Sequence, residues 1–312
     1  MVSVIMCTYR EPLKYIMISV ESILNQTYTQ FEFIIIIDDP LNKEIIEYIK
    51  KRKSEDSRIK YFINEKNLGL TGSLNKALSH AKGNYIARMD ADDFSHPRRI
   101  EHQLKYLEKY NLDLIGNNIQ NVDENGKNKG RITYYPESNS SIIKIARYNS
   151  PLAHPTWFGK REVFEQLNGY REIDACEDYD FLVRAILNGF KLGNIQETLL
   201  QYRINPDGIS SRKKAKQKAA LYLISKNYRK GNETDELEYL HFISSKKGKR
   251  KIYRLGKYYS ELYRFKSMSD NRITQFFYGI YMFISSSEGR CAFICYVNKK
   301  IIMKKCNDIK RV

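Results

Sequence analysis

Three carboxylates stand within four residues at Asp90, Ala91, Asp92 and Asp93, directly after the run Tyr85-Ile86-Ala87-Arg88-Met89. Read as a buried strand, that run delivers the carboxylates to a strand mouth. Like charges packed so tightly repel and raise one another's pKa unless a cation or hydrogen-bond donors stabilise them. A divalent metal carrying a phosphorylated ligand answers that problem most simply. Two other acidic pairs stand in comparable settings: Asp38-Asp39 after the apolar run Phe31 to Ile37, and Glu177-Asp178 at the start of a helical pattern.

The elements that must position these groups follow from periodicity. Val2 to Cys7 reads as a first strand, followed by a helix over Leu13 to Asn25. Phe31 to Ile37 is apolar throughout, as a central strand covered on both faces should be. Ile59 to Ile63 forms a third strand, Thr71 to Ala81 a helix ended by Lys82-Gly83, and Tyr85 to Met89 a fourth strand. Open α/β sheets bind ligands at the carboxyl ends of their strands, so Asp38-Asp39 and the Asp90 to Asp93 loop are expected to face one crevice. A helix is expected after Pro97, running to about Tyr110, then a strand over Leu112 to Gly116, and a hairpin or mobile loop from Asn117 to Tyr135, where Asn, Gly and Lys abound. Further helices are expected over Glu137 to Tyr148 and Asp178 to Leu187.

Taken alone, Asp-x-Asp is a weak signal. A haloacid-type phosphatase would require Thr or Val where Phe94 stands, and a nucleotidyltransferase would require a Gly-rich loop where Cys7-Thr8-Tyr9-Arg10-Glu11-Pro12 stands. No P-loop or dinucleotide fingerprint is present. The ordered series is more specific: Val4-Ile5-Met6-Cys7-Thr8-Tyr9-Arg10, Ile36-Ile37-Asp38-Asp39, Asn67-Leu68-Gly69 with Asn75, and Asp90-Ala91-Asp92-Asp93. It continues with His154-Pro155-Thr156, Asn168-Gly169-Tyr170, Glu177-Asp178-Tyr179-Asp180 with Leu182 and Arg184, and Tyr202-Arg203. In this series the chain resembles the family 2 glycosyltransferases over about residues 1 to 210, with the closest likeness to bacterial capsule, exopolysaccharide and O-antigen enzymes.

That resemblance implies a GT-A fold: an α/β domain with a mixed, mostly parallel sheet flanked by helices, over residues 1–210. It implies a metal-dependent inverting enzyme that moves a hexose or N-acetylhexosamine from a nucleotide-diphospho sugar, UDP-linked by family habit, to a lipid-linked saccharide acceptor. Asp38 or Asp39 would recognise the base, with Thr8 lining the nucleotide pocket. Asp90 would face the ribose or nucleotide and, with Asp92, a Mn²⁺ or Mg²⁺ ion. Asp178 would be the catalytic base, and His154 and Arg203 are candidates for contact with the donor phosphates. The family often continues Gly-Ser where Pro40-Leu41 stands here, and places a His after Tyr-Arg where Ile204-Asn205 follows. The remaining alternatives are a nucleotidyltransferase of related topology and a basic nucleic-acid-binding protein, although no nucleic-acid motif is present.

The charge is lopsided. Of a formal net charge of +17, none comes from residues 1 to 200, where 27 basic residues balance 27 acidic ones. The excess sits in a basic, aromatic-rich region, residues 211–312, expected to be helical from the three- and four-residue spacing of Ile252, Leu255, Tyr259 and Leu262. Such a surface suits an anionic membrane, and the apolar run Ile273 to Ile284 is too short to span a bilayer. With no leader ahead of Val2, the expected location is the cytoplasm, peripheral on the inner face of a bacterial membrane. The five cysteines, at 7, 176, 291, 295 and 306, show no CxxC pair and are expected to be reduced.

Overall fold

The computed structural model describes residues 1–130, 132–173, 176–204 and 213–268, with side chains to 261, and the short pieces 290, 297–298 and 301–303. Two compact units emerge. The first comprises residues 1–142, 151–172 and 184–205; the second comprises 143–150, 173–183 and 206–312. This division differs from a single cut at residue 210 in assigning 143–150 and 173–183 to the second unit.

In the first unit, β1 (Val2–Thr8), β2 (Phe31–Ile37), β3 (Ile59–Ile63) and β4 (Tyr85–Asp90) are mutually parallel in the spatial order β3-β2-β1-β4. Every residue of β2 is buried, consistent with its central place, and each large aliphatic side chain buried there contributes about 1.5–3 kcal/mol. The crossovers are α1 (Leu13–Leu24), α2 (Lys43–Glu55) and α3 (Gly69–His80), as parallel pairing requires. Sequence periodicity finds α1 and α3 to within two residues. It passes over α2, whose sequence KEIIEYIKKRKSE buries only Ile45 and Ile49. An N-cap nonetheless marks that helix: Asn42 Oδ1 accepts from the Ile45 amide at 3.2 Å, the arrangement this residue type favours.

Beyond β4 the sheet becomes mixed. The two-residue β5 (Phe94–Ser95) closes the acidic loop, and α4 (Arg99–Lys109) follows it. Next come β6 (Leu114–Val122) and β7 (Phe158–Lys160), and β8 (Leu192–Arg203) is the last strand. β7 runs antiparallel to both β4 and β6, β8 parallel to β6, and β5 antiparallel to β8.

One boundary is corrected: the strand expected to stop at Gly116 continues to Val122. The hairpin expected within Asn117 to Tyr135 is present, with antiparallel bridges between Ile119 and Thr133 and between Val122 and Asn128, while β8 had no counterpart in the sequence reading. Asn117 and Asn118 resemble turn residues in sequence, yet both are fully buried. They sit at a register shift in the β6–β8 pairing, where Asn117 Oδ1 accepts from Gln103 Nε2 at 3.1 Å and Asn118 Oδ1 from the Tyr135 amide at 2.9 Å. Asn117 Nδ2 also donates to the Asn118 carbonyl at 2.7 Å, satisfying the backbone of a bulge.

Between β6 and β8 lie α5 (Asn139–Ala146), a 3₁₀ turn (His154–Thr156), α6 (Arg161–Gln166) and α7 (Glu177–Leu187). The second unit adds α8 (Lys214–Tyr228), α9 (Glu236–Ser244) and α10 (Lys246–Met268), so the region past residue 212 is helical where described. Ala219, Ala220 and Ile224 are fully buried on α8, Tyr239 is buried on α9, and Leu255 on α10. Asp235 caps α9 by accepting from the Glu238 amide at 2.7 Å. Among the described residues no helix is long and apolar enough to cross a membrane. The run 273–284 with its aromatic residues, Asn205, and Cys291, Cys295 and Cys306 lie outside the described residues; Cys7 and Cys176 are free thiols.

Candidate active site

Asp90 ends β4, and Asp92 and Asp93 form the turn into β5. One carboxylate oxygen from each can be chosen so that all three lie within 4.8 Å of one another. The loop is fixed from several sides. Ser19 Oγ on α1 donates to the Asp90 carbonyl at 2.8 Å. From the end of β8, the Arg203 amide donates to Asp93 Oδ1 at 2.8 Å and the Arg203 Nε to the Asp92 carbonyl at 2.8 Å. Arg203 Nη1 also donates to the carbonyls of Asp123 and Glu124 at 2.8 and 2.9 Å, and its guanidinium stacks 4.2 Å from the Tyr15 ring centre. The side chain that the sequence nominated for diphosphate contact thus also shapes the acidic loop, through Nε and Nη1.

Electrostatically the cluster is under stress. Burial, the Asp90 charge and Glu11 push the Asp92 carboxyl up to about 7. Burial, Asp90 and Asp92 hold Asp93 well above the usual carboxylate range. Asp93 is fully buried, and among the described residues its Oδ2 has no hydrogen-bond partner. An orphaned oxygen beside two further carboxylates is the donor set that a hard divalent cation takes.

One counter-charge is built in. Arg88, on β4 and almost wholly buried, lies 2.5 Å from Asp90 Oδ1 through Nη1. Burial opposes its charge, but Asp90 more than offsets this and pushes its pKa above the ordinary arginine value. Arg99 on α4 is also fully buried, donating to the carbonyls of Pro155 and Arg88 at 3.0 and 2.9 Å, and burial lowers its pKa to about 10. Neither arginine was singled out in the sequence. The signal was an arginine inside an apolar strand, two residues before the first aspartate.

The Asp38-Asp39 pair divides its work. Asp38 Oδ1 accepts from Asn64 Nδ2 and the Leu68 amide, both at 2.7 Å, and Oδ2 from the Gly69 amide at 2.9 Å. Gly69 has φ +74°, a left-handed turn that presents successive amides to one carboxylate and opens α3. Asn67-Leu68-Gly69 is therefore the binding partner of Asp38. Asp39 is held more loosely. Its Oδ1 accepts from the Leu41 amide at 3.1 Å, while Oδ2 meets Arg10 Nε at 3.1 Å, and Arg10 is a largely solvent-exposed side chain. Thr8 is buried and donates through Oγ1 to Glu11 Oε2 at 2.7 Å, where the Tyr9 amide also donates at 2.8 Å.

His154 sits in an aromatic nest. Its Nε2 lies 3.0 Å from the Tyr170 hydroxyl and its ring packs edge-on against Trp157 at 4.5 Å. Burial, with the Arg88 charge, holds its pKa well below the ordinary histidine value, so the ring is neutral. The Asn168-Gly169-Tyr170 segment is a left-handed turn, with φ +53° at Asn168 and +66° at Gly169. Asn75 exchanges two 2.8 Å hydrogen bonds with the Tyr170 backbone, and Arg184 donates to the carbonyls of Leu167 and Gly169 at 2.6 and 2.9 Å. A Cβ at Gly169 would collide with the Asn75 side chain. Asn75, Gly169 and Arg184 form one structural joint.

Asp178 lies in the first turn of α7, in the second unit. Its Oδ1 accepts from the Tyr179 amide at 2.7 Å, and the Tyr179 hydroxyl donates to the Ala146 carbonyl. Cys176, just ahead, is buried, and that burial together with Asp178 and Glu177 pushes its thiol well up, making it an inert packing residue.

Residues 3–167 match the family model described as glycosyl transferase family 2. The chain belongs to glycosyltransferase family 2. This glycosyltransferase is 40% identical over 235 residues to an uncharacterized glycosyltransferase, MJ1057, of Methanocaldococcus jannaschii, covering 75% of this chain and 81% of that one. It is 36% identical over 250 residues to the O-antigen biosynthesis glycosyltransferase WbnJ of Escherichia coli, covering 78% and 96%. A UDP-Gal:alpha-D-GlcNAc-diphosphoundecaprenol beta-1,3-galactosyltransferase of E. coli is 29% identical over 207 residues, covering 66% and 74%. Among solved structures, the mannosyltransferase PcManGT of Pyrobaculum calidifontis, in complex with GDP-Man and Mn²⁺, superposes with a TM-score of 0.59 at 13% identity, covering 98% of this chain and 86% of that one. The glycosyltransferase has the GT-A-type fold, with an eight-stranded mixed sheet flanked by helices. The family match displaces the nucleotidyltransferase alternative.

Proposed function

We propose that the protein transfers a hexose or N-acetylhexosamine, with inversion, from a UDP-linked donor to a lipid-linked saccharide in surface polysaccharide synthesis. The observation that carries the reading is the Asp90, Asp92 and Asp93 cluster with the orphaned Asp93 Oδ2. The names of two relatives supply UDP, diphosphoundecaprenol and O-antigen as parallels.

In this reading Asp92 and Asp90 would hold Mn²⁺ or Mg²⁺, which would supply Lewis-acid stabilisation of the negative charge on a departing nucleoside diphosphate. Arg203 and Ser19 keep the acidic loop in shape by hydrogen bonds to its carbonyls. Arg88 is the buried counter-charge beside Asp90. Asp39 is the base-recognition residue, because both oxygens of Asp38 are already committed to the α3 turn, whereas Asp39 needs only to release the exposed Arg10. Thr8 lines the nucleotide pocket behind it. Asp178 accepts the proton of the acceptor hydroxyl as that oxygen attacks the anomeric carbon. His154, neutral and tied to Tyr170, shapes the wall rather than carrying charge. The basic helical region places the protein at the anionic inner leaflet.

The direct test is a panel of nucleotide sugars with Mn²⁺ or Mg²⁺, monitoring release of nucleoside diphosphate with and without a lipid-linked acceptor. Release from none of them rejects the proposal.

Two further outcomes are expected. Asp38→Ala should lower thermal stability by about 2–4 kcal/mol through the loss of three charge-assisted hydrogen bonds in a buried turn, whereas Asp39→Ala should leave the melting temperature nearly unchanged and weaken UDP binding. The opposite pattern would reassign the two roles. The second outcome concerns pH. With its carboxyl raised to about 7, Asp92 stabilises the metal-free fold most when protonated, and that stability is lost as pH rises from about 4 towards 7. A cation competes with the proton, so the rise in melting temperature on adding Mn²⁺ with UDP should be small near pH 5.5 and larger near pH 8. Equal shifts at both pH values would remove Asp92 from the metal site.

A further inference from the structure

Nine Lys or Arg and one acidic residue, Glu261, occupy α10, and their placement runs against helix electrostatics. Lys246, Lys247, Lys249, Arg250 and Lys251 crowd the N-terminal turns, where the helix dipole already presents positive charge and acidic residues are favoured. Ser245 caps the helix, its Oγ accepting from the Gly248 amide at 3.0 Å. A Cβ at Gly248 would collide with the Phe242 carbonyl, so glycine allows α10 to leave α9 after a single residue. That tight junction sets Lys246 and Lys247 beside Phe242.

The result is a cavity of about 460 Å³ built wholly within the second unit by α8, α9 and α10. Its lining is Lys246, Lys247, Arg250, Lys251 and Arg254, with Tyr222 and Phe242 as its aromatic walls. Lys251 Nζ lies 4.8 Å from the Tyr222 ring centre, tying α10 to α8. Among the described residues, Lys246, Lys247, Arg250 and Arg254 have no acidic partner; farther along the helix, Lys257 Nζ lies 4.0 Å from Glu261 Oε1. Lys246, Lys247, Arg250 and Arg254 stand close together in the first turns of one helix and repel one another unless an anion joins them, and several donors around one concavity suit the oxygens of a phosphate or diphosphate.

We propose that this cavity binds a lipid-borne phosphate group, either a phospholipid headgroup or the diphosphate of a saccharide carrier. Lipid rather than soluble anion is favoured by the apolar groups that the same two helices leave in solvent. Leu237 and Leu240 on α9 are 78% and 51% exposed, and Tyr253 on α10 is 73% exposed. Cations together with exposed leucine and aromatic side chains are the composition of an interfacial helix. The proposal rests on the acceptor reading above only in naming the carrier as one source.

The test uses the full chain and vesicles of phosphatidylcholine alone, with phosphatidylglycerol, or with polyprenyl diphosphate at matched surface charge. Wild type should float with both anionic preparations, and a preference for one identifies the source. Lys247→Glu with Arg250→Glu should reduce vesicle binding on the order of tenfold or more. Lys230→Glu with Lys249→Glu, the same charge change outside the cavity lining, should reduce it far less. Inorganic pyrophosphate should release wild type from the vesicles, whereas KCl at equal ionic strength should do so less; this arm needs no variant to fold. Equal losses for the two variant pairs, no vesicle binding, or release by pyrophosphate no better than by KCl would each overturn the proposal. Nucleotide release by wild type in the absence of lipid reports separately on the glycosyltransferase reading.

Discussion

Asp178→Asn is expected to reduce sugar transfer about 10²- to 10⁴-fold, the usual range for a general base, while leaving metal-dependent UDP binding close to wild type. The substitution preserves side-chain size and an oxygen that can still accept from the Tyr179 amide, as Asp178 Oδ1 does at 2.7 Å. The start of α7 should therefore hold. What is lost is the capacity to take a proton from the acceptor hydroxyl. Steady-state transfer measured beside calorimetric UDP binding separates the two effects: a fall in kcat at constant donor affinity supports the role, and wild-type turnover would falsify it. An equal fall in donor binding would instead make Asp178 part of the donor pocket.

Asp92→Asn is expected to reduce transfer on the order of 10³-fold, since stabilisation of leaving-group charge is worth several kcal/mol and each 1.4 kcal/mol is tenfold. This substitution carries an opposite effect on stability. The Asp92 carboxyl stands at about 7 because burial, Asp90 and Glu11 disfavour its charge, so at pH 8 the metal-free wild type holds an ionised group that the fold resists. A neutral amide removes that repulsion, and the metal-free variant should melt higher than metal-free wild type at pH 8. It should also lose the response to Mn²⁺ with UDP. Higher stability with lower activity is the mark of a site whose strain serves function. A variant that keeps both its metal response and its turnover would move the metal site elsewhere.

Much of the first unit was legible before any coordinates. β2 and β3 appear with the bounds that hydrophobic runs assign, and β1, α1, α3, β4 and α4 differ by only one or two residues at their ends. These elements bury one continuous apolar face or stripe, and such periodicity is a local property of the chain. What was missed has a common cause. α2 is polar on most of its surface, and β6 carries asparagines whose partners lie far along the chain, Gln103 and Tyr135. β8 is recognisable only through its long-range pairing with β6. Local pattern does not encode partners that distant segments supply.

The ordered motifs by themselves established the family and the acidic loop as its centre, because residue type and order survive without coordinates. Which carboxylate is free to act was decided by the tertiary structure alone. Asp38 and Asp39 are chemically identical neighbours, yet Asn64 and the amides of Leu68 and Gly69, about thirty residues on, saturate the first and leave the second held by an exposed arginine. Arg203 proved to clamp carbonyl oxygens through Nε and Nη1, and His154 to lie among aromatic rings. Charge and hydrogen-bonding capacity belong to the residue type. Whether they remain available depends on what the fold places within about 3 Å.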